Sequence, residues 1–140
     1  MTAHESGTSS ASTDAAPLAL SRIGQIALTV SDVPRAVAFY RDALGVRQLE
    51  IPAPPSLAFF DCGGVRMMLS LPEAANPVSA STVLYFTVAD IHAAASALKQ
   101  RGVTLIGEPH LIARMSDHEL WMAFFADPDG NPLALMSEVR

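Results

Sequence analysis

The sequence predicts an α+β chain built as two tandem βαβββ modules, and three observations carry that expectation. A period-2 run of β-forming residues, a capped helix and three short β-rich segments follow one another in that order twice. The helix signals coincide between the copies: placing Val30-x-Asp32 on Val88-x-Asp90 also places Gly45-Val46 on Gly102-Val103. The same superposition brings the turn Asp61-x-x-Gly64 close to Asp127-x-x-Gly130 with small length changes, which is the mark of an internal duplication.

Residues 1–17 are Ser, Thr and Ala with almost no large apolar side chain, so a disordered tail is expected there, with His4 solvated in it. Residues 18–140 form the single expected domain, with module 1 over about 22–73 and module 2 over about 81–138. In module 1, Ile23, Gln25, Ala27 and Thr29 alternate with Gly24, Ile26, Leu28 and Val30, a strand pattern. Ser31 and Asp32 then offer an N-cap, and Pro34 suits a first helical turn. Val33, Val37, Tyr40 and Leu44 recur at helical spacing until Gly45. Strands are expected near 46–51, 57–60 and 65–71, broken by Pro52, Pro54 and Pro55 and by the turn 61–64. A linker with Pro72, Asn76 and Pro77 leads to module 2. There the expected strand 83–88, a helix capped by Asp90 and ending at Gly102, and strands near 103–106, 119–126 and 132–137 repeat the order.

Composition narrows the partners. The formal charge is −5, and the nine Lys and Arg residues are scattered, which gives phosphate backbones nothing to grip, so no nucleic-acid partner is expected. No apolar run approaches the ~18 residues of a membrane span, and no signal-peptide pattern opens the chain. Cys62 is the only cysteine, which points to a reducing, cytoplasmic setting. With no His or basic neighbour in sequence, Cys62 reads as a small buried hydrophobe rather than a reactive thiol.

Two segments resemble the vicinal-oxygen-chelate superfamily, the glyoxalase, bleomycin-resistance and dioxygenase type. They are Gln25-Ile26-Ala27-Leu28-Thr29-Val30-Ser31-Asp32, continuing through Arg35-Ala36-Val37-Ala38-Phe39-Tyr40-Arg41-Asp42-Ala43-Leu44-Gly45, and the closing Phe124-Phe125-Ala126-Asp127-Pro128-Asp129-Gly130-Asn131-Pro132-Leu133. The resemblance spans roughly residues 22–138 and implies curved sheets forming a cup around a small ligand, commonly in a homodimer. It says little about activity, because the superfamily hosts isomerases, lyases, dioxygenases, epimerases and drug-binding proteins.

Metal-using members carry one His, Gln or Glu ligand on the first and last strand of each module. The resemblance assigns these positions to Gln25 and Met68 in module 1 and to Val83 and Ala134 in module 2. Three of the four are apolar, so no metal and no other cofactor is expected. Gln25 then reads as a polar residue of the cup. An unconventional site drawing on His110, His118 and Glu119 matches no standard ligand spacing. His92 reads as a surface residue.

The polar groups of an otherwise apolar cup are expected from residues 108–121, read as a long polar loop bearing His110, Arg114, Asp117, His118 and Glu119. Trp121 and Phe125 alternate along one strand and form either an aromatic wall of the cup or ordinary core. The predicted ligand-binding set is therefore Gln25, Met68, Val83, Ala134, His110, Arg114, His118 and Trp121. Two functional classes follow. One is a metal-free protein that binds or sequesters a small organic molecule. The other is a metal-independent isomerase or lyase using His110 or His118 as general acid or base. A metal-dependent glyoxalase or epimerase is disfavoured by the substitutions.

Overall fold

The computed structural model describes residues 18–72 and 82–140; the expected tail and most of the linker lie outside them. In module 1, β1 (Gln25–Thr29) leads into α1 (Val33–Ala38), which widens into a π-helical turn (Phe39–Ala43), and β2 (Arg47–Leu49), β3 (Leu57–Cys62) and β4 (Val65–Ser70) follow. Module 2 repeats the order with β5 (Leu84–Thr87), α2 (Ile91–Gln100), β6 (Leu105–Arg114), β7 (Glu119–Ala126) and β8 (Pro132–Val139). The two tandem βαβββ modules are present as expected.

Each module closes a four-stranded sheet in the same way. The orders are β1-β4-β3-β2 and β5-β8-β7-β6, with the first and last strands of each module parallel and the other neighbours antiparallel. Both helices start as the sequence predicts: the carboxylates of Asp32 and Asp90 each accept a hydrogen bond at 3.0 Å, from the Arg35 and Ala93 amides. Both are followed by a glycine at positive φ, Gly45 (76°) and Gly102 (85°).

Alternation along the strands gives each sheet two unlike faces. One face of module 1 buries Leu28, Ala58, Phe60, Met67 and Leu69 with Val33, Ala36 and Tyr40 of the helical segment. Module 2 buries Ala123, Phe125, Leu133 and Leu135 with Ile91, Ala95 and Leu98 of α2. These residues join in one core. The opposite, outer face of each sheet carries no helix of its own module.

Two expectations need correction. Residues 108–121 are not a long loop: β6 runs to Arg114, and only residues 115–118 turn the chain into β7, closed by the Met115 N–H donating to the His118 carbonyl at 2.8 Å. Gly107, at φ 83°, and Pro109 read as strand breakers. However, β6 is an edge strand whose register slips between Ile106 and His110 and again between Leu111 and Ala113. Such bulged edges tolerate a glycine and a residue without an N–H. The second difference is the π-helical turn that ends the first helix, where the Leu44 amide bonds the Phe39 carbonyl five residues back at 3.0 Å.

Candidate functional site

The strand registers place four of the predicted positions, Gln25, Met68, Ala134 and His110, on the outer faces, while Val83 immediately precedes β5. Gln25 lies beside Arg66 and Ala27 beside Met68 across the parallel pair β1–β4, and Phe59 lies opposite Met68 across β3–β4. Gln25, Arg66, Met68 and Phe59 therefore share one face. In module 2, Ala134 sits between Tyr85 and Phe124, Met136 between Thr87 and Met122, and His110 opposite Met122. Ala134 has no exposed surface, yet it lies outside the helix-side core. Its two cross-strand neighbours, Tyr85 and Phe124, bring their rings edge to face at 6.4 Å.

The two outer faces differ in chemistry. In module 1 the Arg66 Nε donates to Gln25 Oε1 at 2.8 Å, and the Gln25 amide nitrogen lies 3.9 Å from the Met68 sulfur. The Arg66 guanidinium also lies 5.7 Å from the centre of the Phe59 ring. Asp61, the register neighbour of Arg66, lies 3.8 Å from Arg47. In module 2 the face is aromatic and thioether-rich: Tyr85, Phe124, Met122 and Met136, with Tyr85 48% exposed. His110 adds the polar group, its ring 6.0 Å from Phe124. The His110 Nδ1 lies 3.1 Å from the Glu108 carbonyl. A carbonyl only accepts, so Nδ1 carries the hydrogen and Nε2 keeps its lone pair in the neutral ring.

Other predicted site residues fall elsewhere. Trp121 packs against the helix-side core with Phe125, and the exposed His92 ring meets it edge to face at 5.4 Å, so the aromatic-wall reading is replaced by core packing. Its indole N–H donates to Glu119 at 3.1 Å, and Arg114 bonds the other Glu119 oxygen at 3.1 Å. Those two bonds, the indole first, hold the Glu119 carboxyl below its usual range. As Glu119 and Trp121 lie two residues apart on β7, Arg114 belongs to the helix side with them and not to the outer face. His118 occupies the turn before β7, its Nδ1 donating to Asp117 at 2.7 Å while Arg140 bonds the other Asp117 oxygen at 2.7 Å. These contacts hold the Asp117 carboxyl below its usual range. His118 is thus engaged in pinning the β6–β7 turn. Among the described residues, no three His, Cys, Asp or Glu side chains come together in a group able to hold a metal ion. Cys62 is half-buried, and burial, reinforced by Asp61, pushes its thiol pKa up, away from the thiolate.

A second set of polar residues joins the modules. The buried Asp127 carboxylate accepts four hydrogen bonds: from the Tyr40 hydroxyl at 2.8 Å, the Asn131 side chain at 2.7 Å, and the Asp129 and Asn131 amides at 2.9 and 2.8 Å. Asn131 also donates to the Thr29 carbonyl at 3.1 Å, and Asp129 accepts from the Ser31 amide at 2.9 Å. Burial first, and the Asp127 charge second, drive the Tyr40 hydroxyl pKa far above its ordinary value. An open hollow beside α1, lined by Val33, Val37, Leu49, Ile51 and Pro54 among others, contains none of the predicted site residues.

The model of the Glyoxalase/Bleomycin resistance protein/Dioxygenase superfamily matches residues 22–135. The chain belongs to this superfamily. Virulence protein STM3117 of Salmonella typhimurium (strain LT2) is 26% identical over 126 residues, covering 86% of each chain. Two solved structures of superfamily-like fold are instructive for how different they are. TnmS3, an antibiotic-binding protein from Streptomyces sp. CB03234, superposes with a TM-score of 0.68 at 24% identity, covering 87% of this chain and 99% of its own. Lactoylglutathione lyase from Agrobacterium tumefaciens superposes with a TM-score of 0.66 at 23% identity, covering 85% and 95%. A binder and a lyase on one scaffold leave activity to be argued from the site. No helix among the described residues of this superfamily member is long and apolar enough to cross a membrane.

Residues that carry chemistry on the outer faces but were not singled out from sequence are Arg66, Phe59, Tyr85 and Phe124. The period-2 rule held the signal: Arg66 stands two residues before Met68, and Tyr85 two after Val83.

Proposed function

We propose that this superfamily member binds or sequesters a small organic molecule on the outer faces of its sheets, through a degenerate metal site. The observation that supports this most is the Arg66–Gln25 bond. Gln25 is the one inherited position with an oxygen donor, and its carbonyl oxygen already accepts from a guanidinium. Met68, Val83 and Ala134 offer a thioether and two hydrocarbon side chains, and a fixed cation beside Gln25 repels a divalent ion. The residues present do not fit a metal. What remains is apolar surface with a few polar groups, which is how pockets for organic ligands are built. The TnmS3 neighbour, an antibiotic-binding protein, supports the same reading. A homodimer belongs to it, since a second copy would cover Ile106, 66% exposed, and Tyr85, 48% exposed.

The test is elemental analysis of protein expressed in metal-supplemented medium, followed by a thermal-shift screen of metabolites and antibiotics. The expected result is no stoichiometric divalent metal and at least one organic ligand that raises the melting temperature. One bound Zn, Ni, Mn or Fe per chain overturns the reading.

One observation favours a second reading, a metal-independent isomerase or lyase. His110 stands on the outer face of module 2 with Nε2 unprotonated in its neutral form, the state a general base needs. Turnover of a screened ligand that His110→Ala abolishes without loss of binding decides for catalysis.

A further inference from the structure

We propose that Arg66 is the anion-reading group of the outer face, and that the ligand of this protein is an organic carboxylate with an apolar body. This rests on the small-molecule reading above and narrows it to a chemical class. The cation is held from two sides: its Nε by the Gln25 carbonyl oxygen at 2.8 Å, and its plane near the Phe59 ring at 5.7 Å. Neither partner carries a negative charge, so the full positive charge of the guanidinium stays available. The carboxylate nearest in register, Asp61, is within ion-pair distance of Arg47 at 3.8 Å. Among the described residues, no carboxylate comes within ion-pair distance of Arg66.

With Nε engaged, the end-on edge formed by the two terminal nitrogens remains. That edge presents two parallel N–H donors, the geometry that suits a carboxylate in a bidentate pair. Because the side chain is already oriented, less rotamer freedom is lost when the anion arrives. Met68 and Phe59 lie on the same face beside it, so a ligand whose carboxylate meets Arg66 lays its apolar body over a thioether and an aromatic ring. The chain as a whole carries −5, so the selection is local, made by this side chain and not by the field of the protein.

Three probes of one shape and different head groups test this: naphthalene-2-carboxylate, naphthalene-2-carboxamide and 2-naphthylmethylammonium, with affinities measured by equilibrium dialysis on the full chain. The expected result is that the carboxylate binds about ten-fold or more tighter than the amide and the ammonium. Arg66→Gln should remove that preference while leaving amide affinity in place. Arg66→Lys, which keeps the charge but not the fork, should keep part of it. Arg66 is exposed and outside the core, so both variants are expected to fold. A carboxylate preference that survives Arg66→Gln overturns the proposal. So does equal binding of all three probes, which leaves the small-molecule reading standing. Failure of all three to bind the wild-type protein also overturns the proposal, while the small-molecule reading is decided by its own screen.

Discussion

The two modules share strand order, helix caps and glycine stops, yet they differ in the side chains of their outer faces and of the joint between them. Module 1 presents a charged outer face, Arg66 on Gln25 and Phe59; module 2 presents Tyr85, Phe124 and two methionines around a buried Ala134. The joint between modules is equally one-sided. The module 2 turn sends Asp127, Asp129 and Asn131 onto Tyr40, Ser31 and Thr29 of module 1. The duplication places Leu98 where Tyr40 stands, and Gly63 and Val65 where Asp129 and Asn131 stand, so the reciprocal turn has no such groups to offer. A duplicated scaffold has kept its backbone and divided its chemistry, one copy supplying the charged face and the other the apolar one.

The sharpest way to break the comparison is to treat the two turn aspartates alike. Asp127→Ala leaves the Tyr40 hydroxyl, the Asn131 side chain and two amides without their acceptor, and should cost about 3 kcal/mol or more. Asp61→Ala removes a loose 3.8 Å pair with an exposed Arg47 and should cost about 0.5 kcal/mol. Chemical denaturation of both variants decides, and equal losses would contradict a one-sided joint.

Tyr40→Phe is the next largest effect, about 1.5–3 kcal/mol, because the buried Asp127 carboxylate loses one of its donors. It also carries a pH signature. The folded protein keeps the Tyr40 phenol neutral well beyond the range in which an unfolded tyrosine ionises, near pH 10. The group's stabilising contribution is therefore complete below about pH 10 and falls away as pH rises above it. The wild-type protein should lose stability more steeply than Tyr40→Phe between neutral pH and pH 11. Parallel curves would remove Tyr40 from that loss.

The smallest expected effects separate the two histidines of module 2. His110 faces outward with Met122 and Phe124, so His110→Ala should weaken an organic ligand found by screening by about five-fold to a hundred-fold, with little change in melting temperature. His118 is bonded to Asp117 at the β6–β7 turn, so His118→Ala should lower the melting temperature and leave affinity unchanged. Ligand titration and thermal unfolding on both variants would expose an inverted assignment.

Local chemistry wrote the fold into the chain. Asp32 and Asp90 cap, Gly45 and Gly102 stop, and period-2 alternation marks β1, β4 and β7, each signal acting within a few residues. The same alternation sets the outer face of β1 and β4, on which Gln25 and Met68 both lie. Residues 108–121 carry the composition of a loop yet form mostly strand, because edge position, which makes Pro109 tolerable, is a property of the sheet and not of the strand. Trp121 is ambiguous between core and cup in the sequence because alternation separates two faces without saying which one a helix covers. Arg66 on Gln25 spans 41 residues and Tyr40 on Asp127 spans 87. Only the closed sheets and packed modules bring those partners together, since a hydrogen bond depends on a distance that no local pattern encodes.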